Sequence, residues 1–116
     1  MIQLKRVYDA ADVTDGYRVL IDRLWPRGIK KEELQLDEWC KALAPSGDLR
    51  KALHSEVIDF SSFRQRYLAE LEQQADEGLR IAGLAQRGTV TLLYAAKADS
   101  QNHTQVLAGW LRGLKA

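Results

Sequence analysis

Residues 17–31 read YRVLIDRLWPRGIKK, and the fold turns on how this stretch is read. An apolar run, Val19, Leu20 and Ile21, stops at Asp22 and is followed at once by Arg23, Trp25, Pro26, Arg27, Gly28 and two lysines. A continuous apolar run of this length suits a strand covered on both faces. Cations and a large aromatic crowded into the next turn suit a loop that the strand delivers to a ligand. A second run of the same kind, TVTLLYAA at 89–96, is β-branched at first and apolar throughout, and it reads as another buried strand.

Around these two runs the chain alternates. Residues 2–7 form a first strand, and 9–16 gather Asp, Thr and Gly into a turn. Residues 31–34 make a short helical turn, and 36–43 are read as a strand in preference to a helix. Ser46 can cap a short helix with Leu49, Ala52 and Leu53 on one face, ending near His54. Phe60, Phe63, Tyr67, Leu68 and Leu71 form the strongest helical stripe, with Ser62 and Gln65 as a capping box at its start and Gly78 as its break. A further helix at 79–86 closes at Gly88 in the left-handed conformation. The last helix, about 102–114, carries Val106, Leu107, Trp110, Leu111 and Leu114 on its apolar face.

Buried runs separated by helices predict an α/β fold, a small and mostly parallel sheet flanked by helices in one layered domain over residues 1–116. The connection between the first two strands is short for a parallel crossover, so an antiparallel arrangement of that pair stays open. Parallel strands ending at Asp22 and Ala96 would place their C-terminal ends on one edge, where open α/β sheets bind ligands.

Composition limits the function classes. The chain has 116 residues with 46% hydrophobic, enough for one core. One cysteine, Cys40, excludes an internal disulfide and reads as a small buried hydrophobe. The N-terminal segment lacks the apolar core of a signal peptide and no run approaches a membrane span, so a cytoplasmic protein with no membrane partner is expected. Net charge is only +1, but residues 1–31 hold seven bases against four acids, 32–77 five against eleven, and 78–116 five against one. If the first and last thirds meet, they create a basic face that draws anions.

The candidate site follows from that arrangement. Arg23 and Arg27 offer planar donor forks for carboxylate or phosphate, and Lys97 adds a point charge. Trp25 can stack on a base or pack as a lid, Gly28 allows close approach of a backbone, and Asn102 stands at the start of the last helix. Asp22 and His103 are the candidates to move a proton; their plainer roles are ion pairing and helix capping. Two histidines without a matching carboxylate spacing make no metal site, and there is no phosphate-binding glycine loop of either common type, so no cofactor is assigned.

LKRVYD at 4–9, DGYRVLIDRLWPRGIKK at 15–31, LDEW at 36–39, APSGDLRKALH at 44–54, FRQRYLAEL at 63–71 and TLLYAAKADSQNH at 91–103 together resemble the YeaO-like domain-of-unknown-function family of small bacterial proteins. The resemblance implies a site built from Asp22, Pro26 and Arg27 after one strand and from residues 102–104 after a late one. Larger relatives are similar in having Cys-His-Arg at that second place. This chain has Asn102 and Thr104 around His103, which argues against thiol chemistry and leaves His103 as the shared reactive group. Two readings remain open: an enzyme acting on a small phosphorylated or nucleotide-like substrate, or a non-catalytic module for nucleic acid or an acidic protein. Oligomeric state is not encoded in any pattern read here.

Overall fold

The computed structural model describes residues 1–96 and 102–114. Four strands, β1 (Ile2–Arg6), β2 (Tyr17–Leu20), β3 (Glu38–Trp39) and β4 (Val90–Tyr94), form one sheet in the order β1-β4-β2-β3, and every neighbouring pair is parallel. The expected α/β architecture is therefore present. The open question about the first pair has a simple answer. β1 and β2 are not neighbours, because β4 lies between them, with Ile2 and Tyr17 both in register with Val90. The short connection thus steps over a gap one strand wide, with a 3-10 turn at Val13–Asp15, and needs no helix.

β4 is central, and all five of its residues are buried, which is why it has no polar alternation. One face of the sheet carries Val19, Ile21, Val90 and Leu92 against helices α2 (Gly47–His54), α3 (Phe60–Glu72), α4 (Ala75–Arg87) and α5 (His103–Gly113). The other face carries Val7, Leu20 and Leu93 and is covered by Leu34 of the one-turn helix α1 (Lys31–Leu34), with Trp25, Ile29, Leu36 and Trp39. No helix of the described residues is long and apolar enough to cross a membrane.

The thinner face is held by charge as well as by apolar packing. Asp15 and Arg18 are 2% and 5% exposed. The Asp15 carboxylate pairs with Arg18 and accepts Lys5 Nζ at 3.1 Å. Arg18 also donates to the carbonyls of Gln35 at 3.0 Å and Leu34 at 2.9 Å. Thr91, the one polar residue of β4, donates its hydroxyl to the Asp15 carbonyl at 2.7 Å. This network ties the turn before β2 to the segment that covers the sheet.

Several local expectations need correction. Residues 36–43 divide into the two-residue β3 and a 3-10 turn at Lys41–Leu43. The cap of α3 is Asp59, whose side chain accepts the Ser62 amide at 2.8 Å, so the Ser62–Gln65 box does not form at the helix start. Gly78 does not break a helix. It lies inside α4, where an added Cβ would stand 2.4 Å from the Trp110 ring, and its absence lets α5 pack close. Gly88 is extended, with φ −178°, rather than left-handed.

Candidate functional site

At the C-terminal edge of the parallel strands the chain encloses a cavity of about 700 Å³, within the usual size of small-molecule sites. Residues 22–27 after β2 form one wall. Ala95 and Ala96 after β4, with Asn102 and His103, form another. Arg50, Leu53 and His54 of α2, Phe60 and Phe63 of α3, Pro45 and Tyr8 complete it.

The rear of the site is a hydrogen-bonded seam. Asp22 Oδ2 accepts the Ala95 amide at 3.0 Å, and Asp22 Oδ1 lies 3.1 Å from His103 Nε2. The same His103 nitrogen contacts the Ile21 carbonyl. Both neighbours of Nε2 are acceptors, so the ring proton sits on that nitrogen. His103 does not cap its helix. Asn102 does, accepting the Thr104 amide at 2.9 Å and the Thr104 hydroxyl. Asn102 and Thr104 are buried, so the two residues that stand where larger relatives have Cys and Arg form a closed cap.

Arg23 donates Nε to the Pro45 carbonyl at 2.8 Å, which fixes one edge of its guanidinium. Trp25 packs edge to face on Trp39 with ring centroids 5.4 Å apart, and its N–H donates to the Ile29 carbonyl at 2.6 Å. The Trp39 N–H is likewise used, on the Asp22 carbonyl at 2.6 Å. Trp25 thus lines the cavity as part of a packed pair. The Tyr8 hydroxyl donates to the Arg27 carbonyl at 3.1 Å and pins the loop. Gly28 is outside the lining. Its φ of 78° explains the glycine, because nothing lies within 4 Å of an added Cβ. Lys97 lies outside the described residues.

Arg50, His54, Leu53, Tyr8, Phe60 and Phe63 were not expected at the site. Arg50, Leu53 and His54 stand at i, i+3 and i+4 on α2, a spacing visible in the sequence, but only tertiary contacts aim that face at the loop. Glu70 of α3 supplies the main one, accepting the Ser46 amide at 2.8 Å and hydroxyl at 2.6 Å at the start of α2. One of the cavity's arginines, Arg50, and its exposed His54 therefore come from the acidic middle of the chain. Among the described residues Asp22 is the one carboxylate in the lining, against three arginines. Ion pairs of the described residues involve Lys5, Arg18, Arg80 and His103, and not Arg27 or Arg50.

A second cluster, Glu38, Cys40 and Glu77, holds its ligand atoms within 4.8 Å of one another. Arg80 occupies both carboxylates, donating to Glu38 Oε1 at 2.9 Å and to Glu77 Oε2 at 2.7 Å. Hydrogen bonding from Arg80 holds the Glu38 carboxyl below its usual range, and burial pushes the Cys40 thiol up. The cluster reads as an ion network in which one guanidinium bridges both carboxylates.

Residues 1–115 match the family described as the inactive DUF488-N3 subclade. The chain belongs to this subclade. The chain is also similar to the uncharacterised protein YeaO of Escherichia coli K12, 60% identical over 113 residues, covering 97% of this chain and 98% of that protein. An uncharacterised protein of Mycobacterium tuberculosis H37Rv is 38% identical over 112 residues, 97% of this chain and 94% of its own length. No solved structure matches the chain at a significant level. Membership agrees with the YeaO-like resemblance carried by the WPRG loop and the residues around His103.

Proposed function

We propose that the cavity binds a small phosphorylated or nucleotide-like anion and that the chain performs no chemistry on it. The observation that carries this reading is the imbalance of the lining among the described residues, three arginines against the one carboxylate of Asp22. That carboxylate is already engaged by the Ala95 amide and His103. A cation-rich, partly enclosed site strengthens each charge interaction with an entering anion.

The catalytic alternative finds less support. A general base needs an acceptor within reach of a substrate proton, yet both Asp22 oxygens have partners, and His103 donates from Nε2 toward the Ile21 carbonyl and Asp22, which leaves its Nδ1 as the one acceptor of the pair. The description of the subclade as inactive agrees with this. A reducing cytoplasmic location agrees with a lone, buried thiol at Cys40.

A thermal-shift screen of the wild type and Arg27→Ala against nucleotides, sugar phosphates, RNA and DNA tests the reading. The expected result is a soluble anion that raises the wild-type midpoint, leaves Arg27→Ala unmoved and is recovered unchanged. If no anion stabilises the wild type, the reading fails. If only RNA or DNA does so, with an affinity falling steeply in salt, the site is a nucleic-acid module.

A further inference from the structure

We infer that the anion taken by this cavity is a phosphate monoester of a flat aromatic or heteroaromatic group, with the ring as necessary as the charge. The inference rests on the reading of the cavity as an anion site and specifies what occupies the rest of it.

The lining is graded from mouth to floor. Arg23, Arg27 and Arg50 are exposed, so the guanidinium groups stand at the mouth, and His54 is exposed with them. Phe63 is 2% exposed and Leu53 and Phe60 are half-buried, so the floor is apolar. Phe60 and Phe63 stack with centroids 5.6 Å apart, and the series continues through Tyr67, 5.6 Å from Phe63, to the edge of His103 at 6.3 Å. Of these rings Phe60 and Phe63 line the cavity and the fully buried Tyr67 backs Phe63, so the floor is a rigid apolar surface on which a planar group stacks at little entropic cost.

Inorganic phosphate alone does not match this site. It would engage the mouth and leave the apolar floor and most of the 700 Å³ wet. Two more features argue for an apolar body. Tyr8 and Leu24 are 50% and 62% exposed, among the few large hydrophobics of the described residues left in water, and both line the cavity. A ligand bearing a ring would cover them. Its phosphate would meet the guanidinium forks of Arg27 and Arg50, which suit bidentate contact.

Isothermal titration at fixed ionic strength with inorganic phosphate, phenyl phosphate and phenol tests the claim. Phenyl phosphate is expected to bind the wild type at least tenfold more tightly than inorganic phosphate, since burying one ring accounts for that factor. Phenol is expected to bind more weakly than phenyl phosphate. Phe60→Ala should remove the tenfold preference and leave inorganic phosphate within twofold, and Leu53→Ala, which trims the other half-buried residue of the floor, should reduce it in the same direction should Phe60→Ala not fold. Arg27→Ala should weaken both phosphates. Equal affinity for phenyl and inorganic phosphate in the wild type overturns the inference and leaves the anion reading standing. Binding of neither overturns both.

Discussion

The carboxylate of Asp22 and the imidazole of His103 meet at 3.1 Å across the end of the sheet, one from the second residue after β2, the other from the first turn of α5. With the Ala95 amide on the second Asp22 oxygen, the pair joins β2, β4 and α5 at one point. Its first role is to fix the cavity's rear wall.

Replacing either partner should therefore appear as lost stability. His103→Ala leaves the Ile21 carbonyl and one Asp22 oxygen without their donor and is expected to cost about 1.5–3 kcal/mol. Asp22→Asn keeps the shape of the side chain and should cost less. Urea unfolding of both variants checks the order. A stability unchanged by His103→Ala would show that the seam does not hold the edge together.

The rim arginines should behave oppositely. Arg27 and Arg50 are exposed and take no part in the ion pairs of the described residues, so alanine at either should change folding stability by no more than about 0.5 kcal/mol. Each should weaken anion binding about tenfold. Arg23→Ala should do both kinds of harm, because its Nε holds the Pro45 carbonyl at 2.8 Å. Parallel unfolding and titration experiments separate the three.

Asp15 predicts an acid-sensitive fold. Burial pushes its carboxyl upward, but hydrogen bonds from the Asp12 amide, Lys5 and Arg18 more than offset this and leave it below the usual carboxylate value of 3.8. A depressed folded value means the stabilisation is complete above the ordinary carboxylate range and is lost as pH falls through the lower folded value. Asp15→Asn should flatten the acid limb of the stability curve. It should also cost about 3–5 kcal/mol at neutral pH, by leaving Arg18 buried without its anion.

Two glycines should differ in the cost of alanine. Gly16 has φ 63° and ψ −128°, and a Cβ there would stand 2.2 Å from the Thr89 carbonyl oxygen. Backbone strain of about 1–3 kcal/mol adds to a backbone clash that no rotamer relieves. Gly28 has φ 78° with open space around it, so alanine there should cost only about 1–2 kcal/mol. Thermal unfolding of Gly16→Ala and Gly28→Ala makes the comparison, and equal losses would refute the argument.

Much of this fold was legible because its buried strands have no competing reading. VTLLY at Val90–Tyr94 is covered on both faces, and an apolar run ending sharply at Asp22 leaves little else for residues 17–22 to be. The placement of β4 between β1 and β2 was not legible, since strand order is decided by long-range packing that no local pattern records. The same limit explains Gly78, whose reason is the Trp110 ring of another helix. Asp59 displaced the expected capping box because a carboxylate directly before the helix reaches the Ser62 amide first. At the site, the two segments nearest the strand ends could be read directly. Arg50 and His54 could not, because α2 is aimed by Glu70 from a different helix.

The strand order also sets a timetable for biosynthesis. β1 and β2 leave the ribosome early, yet β1 finds its strand partner only in β4, and β2, though it also pairs with the two-residue β3, lacks its longer pairing until β4 is made, as in Leu4 with Leu92 and Val19 with Leu92. Until nearly the whole chain has been translated, these two strands stand with an empty lane between them. Contacts of such sequence separation slow folding and leave strand edges open to other chains. Chains stalled before residue 90 are thus the form of this protein most dependent on a chaperone.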